Sequence, residues 1–131
     1  MASNESFAPL TTEALSIVPV EEGGVLRIAF SGAVDMRDPG EVLTPYWNAL
    51  DDLVRRRGLG RVEVDMRYLT FMNSSGILTL VRWIVRVKEH AAYNLVLLYD
   101  RNVTWQRTSI PTLAKLAPAV VVPTEVSTTH G

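Results

Sequence analysis

The sequence predicts a single α/β domain with a mainly parallel central sheet that begins with a β-hairpin. Short runs of β-branched and apolar residues alternate along the chain with longer segments whose apolar residues recur every three or four positions. This is the pattern of strands alternating with helices. The 131 residues suffice for one well-packed core but not for two. We therefore expect one domain and one principal functional site.

The hairpin is predicted from two apolar runs, residues 14–20 and 25–30, which a Glu-Glu-Gly-Gly sequence separates. Two glycines between β-prone runs are a turn signal, so the runs should pair antiparallel. Residues 1–13 are mostly small and polar without sustained periodicity, and we expect a flexible leader there. Residues 124–131 are expected to form a flexible tail, which leaves residues 14–123 for the domain.

Helices and strands should alternate after the hairpin. The first helix ends at Gly58, the second begins at Asn73, and the third contains Pro111, which must either begin it or kink it. The expected elements are helix 41–57, strand 61–65, an apolar loop 66–72, a helix from residue 73, strand 94–99, helix 103–117 and strand 120–122.

The composition argues against several classes of function. The 13 basic and 14 acidic side chains nearly balance, so the net charge favours neither nucleic acid nor an anionic membrane as a partner. No apolar stretch is long enough to span a bilayer. The absence of cysteine fits a cytoplasmic protein. The two histidines, His90 at a helix end and His130 in the tail, suggest no catalytic set, and no cofactor or metal motif is present. We therefore expect a protein that is not an enzyme and has no cofactor.

The second helix should bury one side and expose the other. Its expected buried stripe consists of Ile77, Leu80, Val81, Ile84 and Val87. Arg82 and Trp83 fall on the opposite side, where we expect contact with a partner. For Trp83 the spacing leaves interface contact and core packing both open, although tryptophan is frequent at interface centres.

The most informative segment is the sequence Phe-Met-Asn-Ser-Ser-Gly at residues 71–76, which follows a strand and opens a helix. It resembles the signature of the STAS domain, the fold of the anti-sigma-factor antagonists, whose F-M-D-S-S-G-like loop contains a phosphate-accepting serine. The resemblance places Ser74 at the acceptor position. It also implies that Asp35, the family's acidic loop residue, lies near this segment, and that Asp35, Asn73, Ser75 and Gly76 contribute to partner binding.

The resemblance implies a set of partners. These are a serine/threonine kinase of the anti-sigma-factor type, a cognate phosphatase, and a downstream regulator that is either an anti-sigma factor or a diguanylate cyclase. The chain departs from the family pattern because Asn73 replaces the usual aspartate and the final helix of many members is missing. Together with Asp65-Met66-Arg67 and Tyr99-Asp100-Arg101, Asn73 resembles the SiaC type of STAS-like protein, which implies the diguanylate cyclase branch.

A physical argument supports Ser74 independently of the resemblance. A phosphate in the first turn of a helix meets free backbone amides and the positive end of the helix dipole. The alternative is that Asn73, Ser74 and Ser75 only cap the helix, as such residues commonly do. Two other functions stay open: a STAS scaffold that is never phosphorylated, and a sensor that binds a small ligand or nucleotide at the loop ends of the parallel strands.

Overall fold

A six-stranded mixed sheet and three helices make up the computed structural model, which describes residues 7–126. The elements are β1 (Leu10–Thr11), β2 (Leu15–Glu22), β3 (Val25–Val34), α1 (Pro39–Arg57), β4 (Arg61–Met72), α2 (Ser74–His90), β5 (Asn94–Tyr99), α3 (Thr104–Ala114) and β6 (Val121–Glu125). The strands lie side by side in chain order. The pairs from β1 to β3 are antiparallel and those from β3 to β6 are parallel, which confirms the predicted fold class.

The three helices cover one face of the sheet. Each parallel connection moves one strand further in the same direction, and right-handed connections of this kind put every helix on the same side. The hydrophobic core agrees, since one cluster combines inward side chains of β2 to β6 with those of all three helices. Within residues 7–126, the opposite face of the sheet has no helix on it.

Most predicted elements are present with small changes at their ends. The hairpin is confirmed as β2 and β3, and α1 ends before Gly58, whose φ of 65° is the left-handed conformation expected of a helix-ending glycine. The start of α2 after Asn73 is also confirmed. Pro111 neither begins nor ends α3 but lies inside it.

The predicted loop at residues 66–72 is wrong, because β4 continues to Met72. Its pairing with β3 is irregular at two places. One lies between the pairs Ala29–Asp65 and Ser31–Tyr68, and the other lies just before the pair Ala33–Phe71. Each inserts an extra residue into β4, so two successive side chains point to the same face. The alternation that identifies a strand in sequence is therefore lost here.

The first and last strands extend beyond the bounds that the sequence predicted. Strand β1 lies inside the predicted leader, and β6 runs through Pro123 to Glu125. A two-residue strand is too short to give a periodic signal, and proline is tolerated in an edge strand where its nitrogen faces outward. Residues 1–6 and 127–131, which belong to the predicted leader and tail, lie outside the described residues.

Candidate functional site

Asn73 connects the start of α2 to the loop after β3. Its side-chain oxygen accepts a hydrogen bond from the Gly76 amide at 2.8 Å and so caps the helix. Its side-chain amide donates to the Met36 carbonyl at 2.9 Å, and its backbone amide donates to the Val34 carbonyl at 2.9 Å. The two carbonyls flank Asp35, so Asn73 holds the loop that carries Asp35 beside the start of α2.

Ser74 and Ser75 are the first two residues of α2, and both are exposed. The first hydrogen bond inside the helix runs from the Ile77 amide to the Asn73 carbonyl at 3.0 Å. The amides of Ser74 and Ser75 precede this bond and are therefore available to an external acceptor. The first turn of α2 contains no acidic side chain, so nothing in that turn neutralises the positive end of the helix dipole.

Gly76 is buried where α2 approaches the ends of β3 and β4. A Cβ atom at this position would lie 2.8 Å from Val34 Cγ1 and 3.0 Å from Met72 Cγ. Distances this short require neighbouring side chains to move. Gly76 therefore lets the helix start lie close to the sheet and is a structural residue of the site, because its backbone amide is already bound to Asn73.

The end of β4 is fixed from α3 by a residue that the sequence analysis did not single out. Gln106 is fully buried, and its side-chain amide donates to the carbonyls of Met66 and Leu69. Trp105 also donates to the Leu69 carbonyl, at 2.8 Å. These bonds hold the irregular part of β4 that leads to Ser74. The available signal was a glutamine three residues after the start of a predicted helix, which by itself does not distinguish burial from exposure.

Trp83 does not lie on the exposed side of α2, which corrects its assignment as a partner contact. Only 2% of it is exposed; it stacks on Trp47 with ring centroids 4.4 Å apart and donates to the Tyr93 hydroxyl at 2.9 Å. The prediction failed because α2 packs against α1 as well as the sheet, so its buried side also includes Thr79. Arg82 is exposed as predicted, but lies eight residues from Ser74, about 12 Å along the helix.

A buried polar network joins α1 to the C-terminal part of α2. The Tyr93 hydroxyl donates to Asp51, which is fully buried, and His90 Nε2 lies 2.9 Å from the same Asp51 oxygen. Because His90 Nδ1 accepts from the Ala92 amide, Nε2 carries the proton and donates to Asp51. Arg86 Nε lies 3.1 Å from the other oxygen of Asp51. Burial and the hydrogen bond to Asp51 raise the pKa of Tyr93.

Two exposed apolar residues flank Ser74 in sequence, and the sequence analysis missed them. Phe71 and Leu78 are 47% and 46% exposed, and Val85 lies further along the same side of α2. Leu78 and Val85 follow Ser74 by four and eleven residues, the spacing of one helix face, which is the signal that could have identified them. The structure thus brings the loop that carries Asp35 to Asn73 and Ser74, and Leu78 and Val85 form an exposed apolar stripe along α2 from this point.

Neither a metal site nor a membrane-crossing helix is present in the described part of the chain. No three histidine or carboxylate side chains among residues 7–126 group together as metal ligands. None of the helices within this range is long and apolar enough to cross a membrane.

Comparison with solved structures gives the class of fold. The chain is similar to the crystal structure of an anti-sigma factor antagonist from Mycobacterium paratuberculosis, with a TM-score of 0.62 and 17% sequence identity. The match covers 88% of this chain and 92% of that one. Scans against protein families and against curated proteins find no match. The likeness confirms the STAS-like fold that residues 71–76 suggested.

Proposed function

We propose that this protein is a non-catalytic binding protein of a bacterial partner-switching system, with Ser74 as its phosphate acceptor. The observation that carries the proposal is the position of Ser74 as the exposed first residue of α2. The first two amides of this helix are available to a phosphate, and no acidic side chain in the first turn opposes it. The same position is the acceptor in the STAS signature that residues 71–76 resemble.

The modification would act by adding negative charge at a surface whose exposed side chains include the apolar Phe71 and Leu78. Phosphate adds about −1.5 to −2 charge where a hydroxyl stood, which strongly disfavours a partner that packs against apolar side chains there. Phe71 and Leu78 supply such side chains on both sides of Ser74 in sequence. The unmodified protein therefore binds its regulator, and the phosphorylated protein releases it.

The proposed partners are a serine kinase of the anti-sigma-factor type, a phosphatase and one downstream regulator. We propose a diguanylate cyclase as the regulator, on the resemblance of Asn73 and its surroundings to SiaC-type proteins, with an anti-sigma factor as the other candidate. In either case Asp35 and Ser75 border the phosphate, and Arg82 lies at the far end of the contact surface.

Phosphopeptide mapping tests the acceptor. Protein from its native cells, and purified protein incubated with candidate kinases and Mg-ATP, is digested and analysed by mass spectrometry. We expect phosphate at position 74 in the wild type and in Ser75→Ala, and none in Ser74→Ala. Ser75→Ala is the matched control, because it removes the neighbouring exposed hydroxyl. Phosphate on Ser75 instead, or on neither serine in every growth condition, would refute Ser74 as the acceptor.

Binding measurements test the switch. Ser74→Asp should bind the regulator at least about tenfold more weakly than Ser74→Ala, because a charge replaces a small neutral group at the contact. Equal affinities of the two variants for every candidate regulator would favour the scaffold that is not controlled by phosphorylation.

A further inference from the structure

Thr79 is a buried polar residue of α2 that the proposed function does not use. It is 4% exposed and follows Ser74 in the same helix. Its hydroxyl oxygen accepts a hydrogen bond from Trp47 Nε1 of α1 at 3.1 Å. The same hydroxyl donates to the Gly76 carbonyl in the first turn of α2 at 2.8 Å. Thr79 therefore connects α1 to the turn that begins with Ser74.

The indole of Trp47 holds this hydroxyl in one orientation. Trp47 is 2% exposed and stacks on both Phe30 and Trp83, with ring centroids at 5.5 Å and 4.4 Å. An indole nitrogen can only donate, so it takes a lone pair of the Thr79 oxygen and leaves the hydroxyl proton for the Gly76 carbonyl. Threonine in a helix ordinarily divides between two side-chain rotamers. The bond from Trp47 selects the one that reaches Gly76.

The carbonyl that Thr79 binds belongs to the peptide group that closes the first turn. A peptide group is planar, so the Gly76 carbonyl and the Ile77 amide move together. The Ile77 amide donates to the Asn73 carbonyl at 3.0 Å, which is the first hydrogen bond inside α2. Because a carbonyl has two lone pairs, the Thr79 bond adds to the ordinary helical one. Thr79 thus fixes one side of this peptide group, and Asn73 fixes the other.

The first turn of α2 needs this support because its own residues are poor helix formers. It reads Ser-Ser-Gly at residues 74–76, and serine and above all glycine stabilise a helix less than alanine does. Turns at helix ends also open most readily. The bonds from Asn73 to the Gly76 and Ile77 amides hold the turn from its N-terminal side. Thr79 and Trp47 hold it from the side of the core.

We propose that Thr79 is a positioning residue for the phosphorylation of Ser74, with Trp47 as its support on α1. The inference rests on the proposed function, because it gives Thr79 a part in presenting that acceptor. Thr79 is buried, so it contacts neither a kinase nor the phosphate. It acts through the Gly76 peptide, which keeps the Ser74 hydroxyl and the two free amides in the geometry of a formed helix. When the turn opens, the hydroxyl takes many orientations, of which few allow transfer.

Kinase kinetics on two Thr79 variants test the proposal. Thr79→Val keeps the branched shape and removes the hydroxyl, whereas Thr79→Ser keeps the hydroxyl. Both are assayed with Mg-ATP and the kinase that phosphorylates the wild type, and mass spectrometry quantifies phosphate on Ser74. We expect kcat for Thr79→Val to fall at least about tenfold while KM changes less than about twofold, because the acceptor is misaligned but the exposed contact residues stay in place. Thr79→Ser should stay within about threefold of the wild type in kcat.

Tyr93→Phe is the matched control, because the Tyr93 hydroxyl plays the same two parts at the other end of α2. It accepts from Trp83 Nε1 and donates to Asp51. Its loss also weakens the contact of α1 with α2, but leaves the first turn untouched. We expect kcat for Tyr93→Phe within about threefold of the wild type. Equal falls in kcat for Tyr93→Phe and Thr79→Val would reflect a general loss of stability and overturn the positioning role.

Hydrogen exchange measured by NMR gives a second readout that needs no kinase. The Ile77 amide should exchange at least about tenfold faster in Thr79→Val than in the wild type or Thr79→Ser, because the first turn opens more often. Wild-type kcat or wild-type exchange in Thr79→Val, or a Thr79→Ser as slow as Thr79→Val, would overturn the proposal alone. A wild type that carries no phosphate on Ser74 would overturn the proposed function, and this inference with it.

Discussion

Replacing Asn73 by alanine is the most direct test of how the site is built. The substitution removes the cap on the Gly76 amide, a loss of about 1 kcal/mol for a helix cap. It also removes the bond to the Met36 carbonyl, for which a loss of about 1 kcal/mol is typical. We therefore expect the free energy of unfolding of Asn73→Ala to fall by about 2 kcal/mol.

Asn73→Asp separates the two bonds, because a carboxylate accepts from the Gly76 amide but cannot donate to Met36. We expect it to be less destabilised than Asn73→Ala, by about 1 kcal/mol, since the cap remains and the helix dipole favours a negative charge. Urea denaturation at neutral pH measures both. Asn94→Ala is the control, because Asn94 is exposed, and it should change stability by less than about 0.5 kcal/mol. If Asn73→Ala matches the wild type, or if Asn73→Asp is as unstable as Asn73→Ala, the reasoning fails.

Three further predictions concern other contacts within the fold. Tyr93→Phe should lower the free energy of unfolding by about 1–3 kcal/mol in urea denaturation, because buried Asp51 loses a hydrogen-bond donor; an unchanged value would contradict the described network. Gly76→Ala should cost about 1–2 kcal/mol through crowding, whereas Gly60→Ala, with open space around it, should cost less; equal effects would contradict the close approach of α2. The hydrogen bond from Arg27, with a further one from Arg61, outweighs burial and holds the pKa of Glu63 below its ordinary value of about 4.5. The contribution of Glu63 to stability is therefore present above pH 4.5 and is lost as the pH falls through the lowered pKa. Urea midpoints between neutral and acidic pH should therefore fall less for Glu63→Gln than for the wild type, and parallel curves would show that this pKa is not lowered.

The fold could be predicted from sequence wherever one physical signal dominated. The hairpin has a two-glycine turn between β-prone runs, and α1 has an apolar stripe that ends at Gly58. The start of α2 has a capping side chain at Asn73, whose bond to Gly76 the structure shows. In each case neighbouring residues carry the whole signal, so no tertiary information is needed.

The errors arose where distant parts of the chain decide the local structure. Strand β4 continues to Met72 only because β3 lies beside it and accommodates two extra residues. Trp83 is buried because α1 brings Trp47 over it, and no pattern within α2 reports this. Gln106 is buried because its side-chain amide donates to the carbonyls of Met66 and Leu69, which lie in the irregular part of β4. These are tertiary effects, which a pattern read along one segment does not contain.

The asparagine before Ser74 bears on how a phosphate there would act. Because Asn73 caps the Gly76 amide and Ile77 binds the Asn73 carbonyl, a phosphate on Ser74 would use the two earlier amides and leave these bonds intact. It would also meet a neutral amide where an aspartate would repel it. Phosphorylation would then change the charge of the surface without unfolding the start of α2. In the proposed switch a partner would then distinguish the two states by the charge on Ser74, and the affinity difference between Ser74→Asp and Ser74→Ala should decrease as salt is added.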